Sequence, residues 1–329
     1  MLTRRGFLAA AAATPFSIGS VPKTVPTTMP LKVLLDTDIG SDIDDAVALS
    51  YLLKKPNCNL LGVTTVTGDA VNRANLVKTL CEAAGKDIPI YPGVEKPLVI
   101  EQRQLSAAQA ERLAGTPSSF PEGQAIDFMR TTIRQNPGEV TLLAVGPFTN
   151  IATLFKSDPQ IPHLLKELVI MGGKFSDYPT PWGPTEWNAI VDPHATAIVF
   201  SSGVPIRAYG LDVTWQLSMT PDQVAKKFKG DKLLEIVLDW SSIWFQEREL
   251  LHFHDPLAAA AIFNPGICKY KRGHVQVELE ETELLGVTHF QSNQAGKVEA
   301  AESVNAERFF QEYFSVFSNH DSSSAGQTS

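Results

Sequence analysis

The chain is 329 residues long, with 43% apolar and 19% charged residues. That is enough to bury the core of one large α/β domain, and it excludes a globally disordered chain. The 36 acidic residues outnumber the 28 Lys and Arg, a formal charge of −8 that argues against a nucleic-acid or anionic-membrane partner. Cys58, Cys81 and Cys268 are too few and too scattered for a disulfide framework or a CxxC metal site, and are expected as small buried side chains. No apolar run reaches the roughly 20 residues of a membrane span.

In chain order, residues 1–20 read as a positive head, an apolar stretch and a polar exit. Arg4-Arg5 precede Gly6-Phe7-Leu8 and the run from Ala9 to Ala13, with no acid before Asp36. This resembles a bacterial twin-arginine export signal and predicts an exported, periplasmic or extracellular protein. Residues 21–30, with three prolines and three threonines, read as a linker that completes the 1–30 leader. From Leu31, short apolar runs alternate with amphipathic ones. Strands are expected at 32–35, 60–66, 88–91, 140–145, 167–171 and 206–209, and helices at 44–54, 72–84, 125–135, 149–157 and 193–201. Strands apolar on both faces and separated by helices predict an α/β fold, an open, mostly parallel sheet with helices on both faces. Residues 221–253 read as a helical, aromatic-rich cap over that sheet. No repeat or linker divides residues 31–318, which are read as one catalytic domain. The Ser/Gly/Gln-rich tail at 319–329 is expected to fray.

The densest chemical pattern follows the first strand: Asp36-Thr37-Asp38-Ile39-Gly40-Ser41-Asp42-Ile43-Asp44-Asp45. Strand alternation predicts that Asp36 and Asp38 emerge together, and Gly40 permits a tight turn into a helix that opens with Asp44 and Asp45. At about 5.5 Å and an effective dielectric near 20, each close carboxylate pair costs roughly 3 kcal/mol. A helix N-terminus offsets only about 0.3–1 kcal/mol of that. The remainder calls for a cation. Oxygen donors without Cys or a nearby His favour Ca²⁺ or Mg²⁺ over zinc.

The cluster resembles the N-terminal signature of the inosine-uridine preferring nucleoside hydrolases, calcium enzymes that cleave the N-glycosidic bonds of nucleosides. Further elements follow in the family's order. Ala144-Val145-Gly146-Pro147-Phe148-Thr149-Asn150 is similar to its GPLTN turn, and Met171-Gly172-Gly173 to its MGG strand end. Glu186-Trp187-Asn188 with Asp192-Pro193, and His254-Asp255-Pro256-Leu257-Ala258, resemble its EFN, DP and HDPLA elements. The resemblance implies a Ca²⁺ held by Asp38, Asp45, the Thr149 carbonyl and Asp255. It implies ribose contacts from Asp44, Asn188, Asp255 and Met171, with Glu186 reaching toward the 5′-hydroxyl. Asp38 would act as general base and His254 would protonate the departing base. It also implies a small-molecule ribonucleoside substrate and a homo-oligomer.

Several departures stand out. Ile39 replaces a proline and two additional residues precede Asp44-Asp45, so Asp42 is an extra acid whose role can exchange with that of Asp44. Asp69 stands where many members carry a ribose-binding asparagine, and is read as a site residue. No HG-type element follows Pro97, and Trp187 replaces phenylalanine and is expected only to pack. Trp240, Trp244 and Phe245 read as one apolar stripe of a buried helix in preference to a platform for the nucleobase. His252, two residues from His254, would face elsewhere on a helix. Two other functions fit parts of the pattern. One is a Mg²⁺ phosphohydrolase using Asp36 or Asp38 as nucleophile, for which Ile39-Gly40 fits poorly. The other is a non-catalytic, exported calcium- or ribose-binding protein on the same fold.

Overall fold

Strand β1 (Leu31–Thr37) is buried from Val33 onward, as expected of a strand covered by helices on both sides. The computed structural model, which describes residues 29–115 and 117–317, places it within a nine-stranded sheet. The leader at 1–30, apart from Met29 and Pro30, and the tail at 319–329 lie outside the described residues. The remaining strands are β2 (Cys58–Thr65), β3 (Ile90–Pro92), β4 (Val140–Ala144), β5 (Glu167–Met171), β6 (Ile206–Tyr209), β7 (Ser218–Met219), β8 (Leu251–His252), β9 (Cys268–Val277), β10 (Thr288–Ser292) and β11 (Val298–Val304). Their order across the sheet is β10-β9-β11-β6-β5-β4-β1-β2-β3, while β7 and β8 form a separate antiparallel pair. Within the large sheet only β9 runs antiparallel to its neighbours.

Alternate strand residues serve two cores. Val33 and Leu35, Leu143 and Val145, Val169 and Met171 face one helical layer. Leu34, Leu142 and Ala144, Leu168 and Ile170 face the other. Each expected strand is present, although β3 begins at Ile90 and not at residue 88. The second expected helix runs Ala70–Ala83, shifted by up to two residues. Strands β9 to β11 were not legible: β9 alternates Lys, Arg and Gln with small or apolar residues and leaves one side exposed toward the sheet's edge. The segment at 221–253 contributes the helices Pro221–Phe228 and Lys232–Trp244 and then β8. Trp240 is buried, and Trp244 and Phe245 pack against the same core, so they form the apolar stripe. All three cysteines are free and buried, and burial pushes each thiol up to about 12. Among the described residues no helix is long and apolar enough to cross a membrane.

The chain passes from β1 outward to β2 and β3, then returns to β4 on the other side of β1. Ligands in open α/β sheets bind beyond the carboxyl ends of the strands at such a reversal. Two buried helices start there. Asp44–Lys54 is buried from Asp44 to Leu53, and His254–Phe263 from Asp255 to Ile262. Neither has a polar stripe, because each is enclosed by other elements.

Candidate active site at the carboxyl ends of β1 and β4

The starts of these two helices bring three carboxylates together. Asp44, Asp45 and Asp255 each offer an oxygen within 4.8 Å of the others, and all three are buried. The Asp255 N–H donates to Asp44 Oδ2 at 2.9 Å, which ties one helix N-terminus to the acid of the other. Thr37 Oγ1 donates to Asp45 Oδ1. Burial, followed by repulsion from neighbouring acids including Asp38, holds all three carboxyls well above the usual carboxylate range. Among the described residues no Lys or Arg forms an ion pair with them. An all-oxygen, anionic and otherwise unbalanced donor set fits a hard divalent cation.

Asp44, to which the resemblance gives a ribose contact, lies within this tight triad. Asp42 is half-buried and accepts from the backbone N–H groups of Ile43 (2.6 Å) and Asp44 (3.4 Å), so it secures the turn. Burial pushes it up to about 7. Asp36 and Asp38 do not share surroundings. Asp36 is fully buried, where Thr64 Oγ1 and Asn150 Nδ2 both donate to its Oδ1, and burial pushes it up to about 7. That enclosure leaves Asp36 poorly placed as the nucleophile of a phosphohydrolase.

Asp38 lies just past the end of β1, with Oδ1 against Gly146 beyond β4. A Cβ at Gly146 would sit 2.8 Å from that oxygen, so the close approach requires glycine. Asp38 Oδ2 accepts from Gln104 Nε2 at 2.6 Å. Burial raises the Asp38 carboxyl, while the Arg73 guanidinium and the Gln104 amide act in the opposite direction. Arg73 is fully buried and donates to the carbonyls of Asp38, Ile39 (3.0 Å) and Gly68 (2.9 Å) and to Ser41 Oγ (3.0 Å). It fixes the acidic loop through its backbone. Neither Gln104 nor Arg73 was legible: one lies in coil outside any motif, and the other reads as an ordinary helical arginine.

Beyond β4 and β5, Asn188 Nδ2 donates to the carbonyls of Val145 (2.8 Å) and Met171 (3.2 Å). Those acceptors fix the amide's orientation, and among the described residues no donor reaches its Oδ1. Glu186 caps the helix Trp187–Val191. Its carboxylate accepts from the backbone N–H groups of Gly173 (2.8 Å), Asn188 (2.9 Å) and Ala189 (3.0 Å). Burial nonetheless pushes it up to about 7. Trp187 does more than pack, since its indole N–H donates to Gln104 Oε1.

Thr149 and Asp69 each have hydrogen-bond partners within the protein. The Thr149 hydroxyl donates to Asp192 Oδ2 at 2.7 Å, and its carbonyl, inside the helix Thr149–Ser157, accepts from Thr153 Oγ1 at 2.7 Å. The helical carbonyl is thereby aimed along its own axis. Asp69 Oδ2 accepts from Asn72 Nδ2 (3.0 Å) and the Ala107 N–H (3.3 Å), so the acid braces a loop. It and Thr67 both adopt left-handed backbone, with φ of 69° and 63°. Such strain in a β-branched residue marks a turn that its surroundings force.

His254 is half-buried at the first turn of its helix, its Nδ1 2.7 Å from Thr214 Oγ1. His252 faces the same way. Its ring stacks on Trp215 at 3.7 Å and lies 5.3 Å from His254, and Trp182 meets Trp215 edge-on at 5.0 Å. The helical expectation for His252 fails because it ends β8 while His254 opens the next helix, so the two are not on one helix and their rings come together. Burial lowers His252 to about 4, and burial with the neighbouring His252 lowers His254 to about 3, so both imidazoles are neutral near pH 7.

A buried cluster of carboxylates at the strand-order reversal of a mostly parallel sheet, with aromatic rings beside it, is consistent with the divalent-cation site of an α/β enzyme. The chain belongs to the inosine-uridine preferring nucleoside hydrolase family, whose model matches residues 33–311. It is 33% identical over 269 residues to uridine nucleosidase 1 of Arabidopsis thaliana, covering 76% of this chain and 79% of that one. It is 30% identical over 273 residues to the pyrimidine-specific ribonucleoside hydrolase RihB of Escherichia coli, covering 78% and 86%. Its fold is similar to that of a solved plant nucleoside hydrolase, PpNRh1, with a TM-score of 0.78, 26% identity and coverage of 88% of this chain and 100% of that one. The chain is accordingly a glycosidase that hydrolyses the N-glycosidic bond of ribonucleosides.

Proposed function

We propose that the cation is calcium and that Asp38, Asn188 and the triad divide the reaction among them. The buried triad of Asp44, Asp45 and Asp255, which among the described residues has no Lys or Arg in ion-pair contact and feels only the Arg73 guanidinium acting on Asp45, carries this reading. When bound, a divalent cation supplies the positive field that balances the acids and lowers the pKa of a water beside it. Asp38, held at one oxygen by Gln104, takes the proton of the attacking water. Asn188 presents its unengaged Oδ1 to a ribose hydroxyl, and Met171 sits beside it. The surrounding carboxylates stabilise positive charge as it develops at C1′ of an oxocarbenium-like sugar. A deoxyriboside leaves such an acceptor unpaired, so ribosides are preferred. The neutral His254, beside Trp215 and His252, offers the departing base a hydrogen bond and an aromatic neighbour.

Two relatives are named for uridine or pyrimidine nucleosides, which makes uridine the first substrate to test. Arg4 and Arg5 support export of the chain and a role in salvage of extracellular nucleosides, and the family resemblance supports assembly with copies of itself. The deciding experiment incubates the protein and calcium with a panel of ribosides and deoxyribosides and follows free base by chromatography. Release from ribosides alone supports the assignment; ribose binding without turnover defeats it. Light scattering tests the assembly, and the fate of a reporter fused to residues 1–30 tests export.

A further inference from the structure

We infer that Gln104 is a positioning residue for Asp38, and that Trp187 sets its orientation. The inference rests on the proposed role of Asp38 as general base. An indole N–H can only donate, so the atom of Gln104 that meets Trp187 must be the carbonyl oxygen. The NH₂ group is thereby turned inward, where it donates to Asp38 Oδ2 at 2.6 Å and Ser41 Oγ at 2.9 Å. With the amide reversed, its oxygen would face the carboxylate. Asp38 Oδ1 already rests against Gly146, so the amide supplies the second point that fixes the carboxylate plane.

The segment bearing Gln104 is built to hold this position. The Gln104 carbonyl crosses Gly68 so closely that a Cβ there would lie 2.3 Å from it. Gln102 Nε2 donates to Thr67 Oγ1 at 2.9 Å, and Asp69 Oδ2 accepts from the Ala107 N–H. The Gln109 N–H donates to the Gly40 carbonyl at 3.1 Å, and its side chain donates to the Ser41 carbonyl at 3.2 Å. The left-handed turn Thr67–Gly68–Asp69 and the additional residues of the acidic loop thus clamp one coil segment. Gln104 itself is buried, while Trp187 is 49% exposed, directly between Glu186 and Asn188. Through this chain the residues around the sugar are mechanically joined to the base.

The test uses the full chain with calcium and uridine. Gln104→Met keeps length and removes the amide, and Trp187→Phe keeps a ring and removes the donor. Misplacing a catalytic group by about an ångström costs on the order of 10²-fold. Gln104→Met is therefore expected to lower kcat roughly 10²-fold with KM within about twofold. Trp187→Phe should lower kcat about tenfold, the scale of one hydrogen bond, and should add nothing in the Gln104→Met background. Unchanged kcat, a change confined to KM, or additive losses would overturn the inference. A second readout is independent of turnover. The Trp187 indole N–H, identified by its loss in Trp187→Phe in ¹⁵N spectra, should exchange slowly in the parent and faster in Gln104→Met. Equal exchange rates would break the proposed link. A parent chain that releases no base while that exchange difference persists would instead count against the proposed function.

Discussion

The two halves of the active site are built in different ways. The acid half comes from residues adjacent in sequence: Asp38, Asp44 and Asp45 lie within one loop and helix start, and Asp255 opens a second buried helix against it. The aromatic half collects Trp182, Trp215, His252 and His254 from separate segments, joined by ring contacts and the short β7–β8 pair. The acid half crowds carboxyls into a buried space, where ionising them near neutral pH is costly without a counter-charge. The aromatic half carries no ionised group near pH 7 and is held by ring contacts, although His252 Nδ1 is buried without a hydrogen-bond partner. Under the proposed mechanism, water activation belongs to the half that holds the ion and leaving-group assistance to the half that does not.

The sharpest way to break this contrast is to remove the ion. Excess chelator should abolish base release and added calcium restore it; full turnover in chelator would show that the acids act alone. Next in size, Asp38→Ala should reduce kcat by about 10³-fold, within the range of general acid–base catalysis, while the melting temperature stays near that of the parent. A normal kcat in that variant would remove Asp38 as base.

The contrast also has a stability signature. Asp36, Asp42 and Glu186 are pushed up to about 7 by burial, and the triad acids lie well above the ordinary range. Each favours the protonated form when folded, so its stabilising contribution is complete below the unfolded carboxyl pKa of about 4. That contribution is lost as pH rises through about 7. In chelator the melting temperature should fall from pH 5 to pH 8, and calcium should flatten the fall. A metal-free protein equally stable at both values would show that the acids are not crowded.

The smallest effect belongs to the aromatic half. His254→Ala should cost about 10²-fold with uridine and little with a nitrophenyl riboside, whose leaving group needs no help. Equal losses on both would make His254 a packing residue.

Much of the acid half was legible because its information is local. A strand apolar on both faces, a glycine turn and two aspartates at a helix start specify where carboxylates must gather, whatever surrounds them. The same locality made β1, β2, β4, β5 and β6 readable, whereas β9, next to the edge strand, was hidden by its Lys and Arg residues. His252 illustrates the limit: helical spacing sends its ring away from His254, whereas pairing with β7 makes it the end of a strand and the break before the next helix brings the two rings together.

The sequence alone determined the acidic inventory, the alternation of strands and helices, and the family to which the chain belongs. The tertiary structure alone decided which carboxylates meet: it drew Asp44 into the triad, left Asp36 enclosed, and gave both Thr149 oxygens hydrogen-bond partners within the protein. It alone joined Trp187, Gln104 and Asp38, residues up to 149 positions apart. The reason is physical: periodicity fixes the side on which a residue emerges, but a hydrogen bond needs a donor and an acceptor within about 3 Å, and only the packed fold sets that distance.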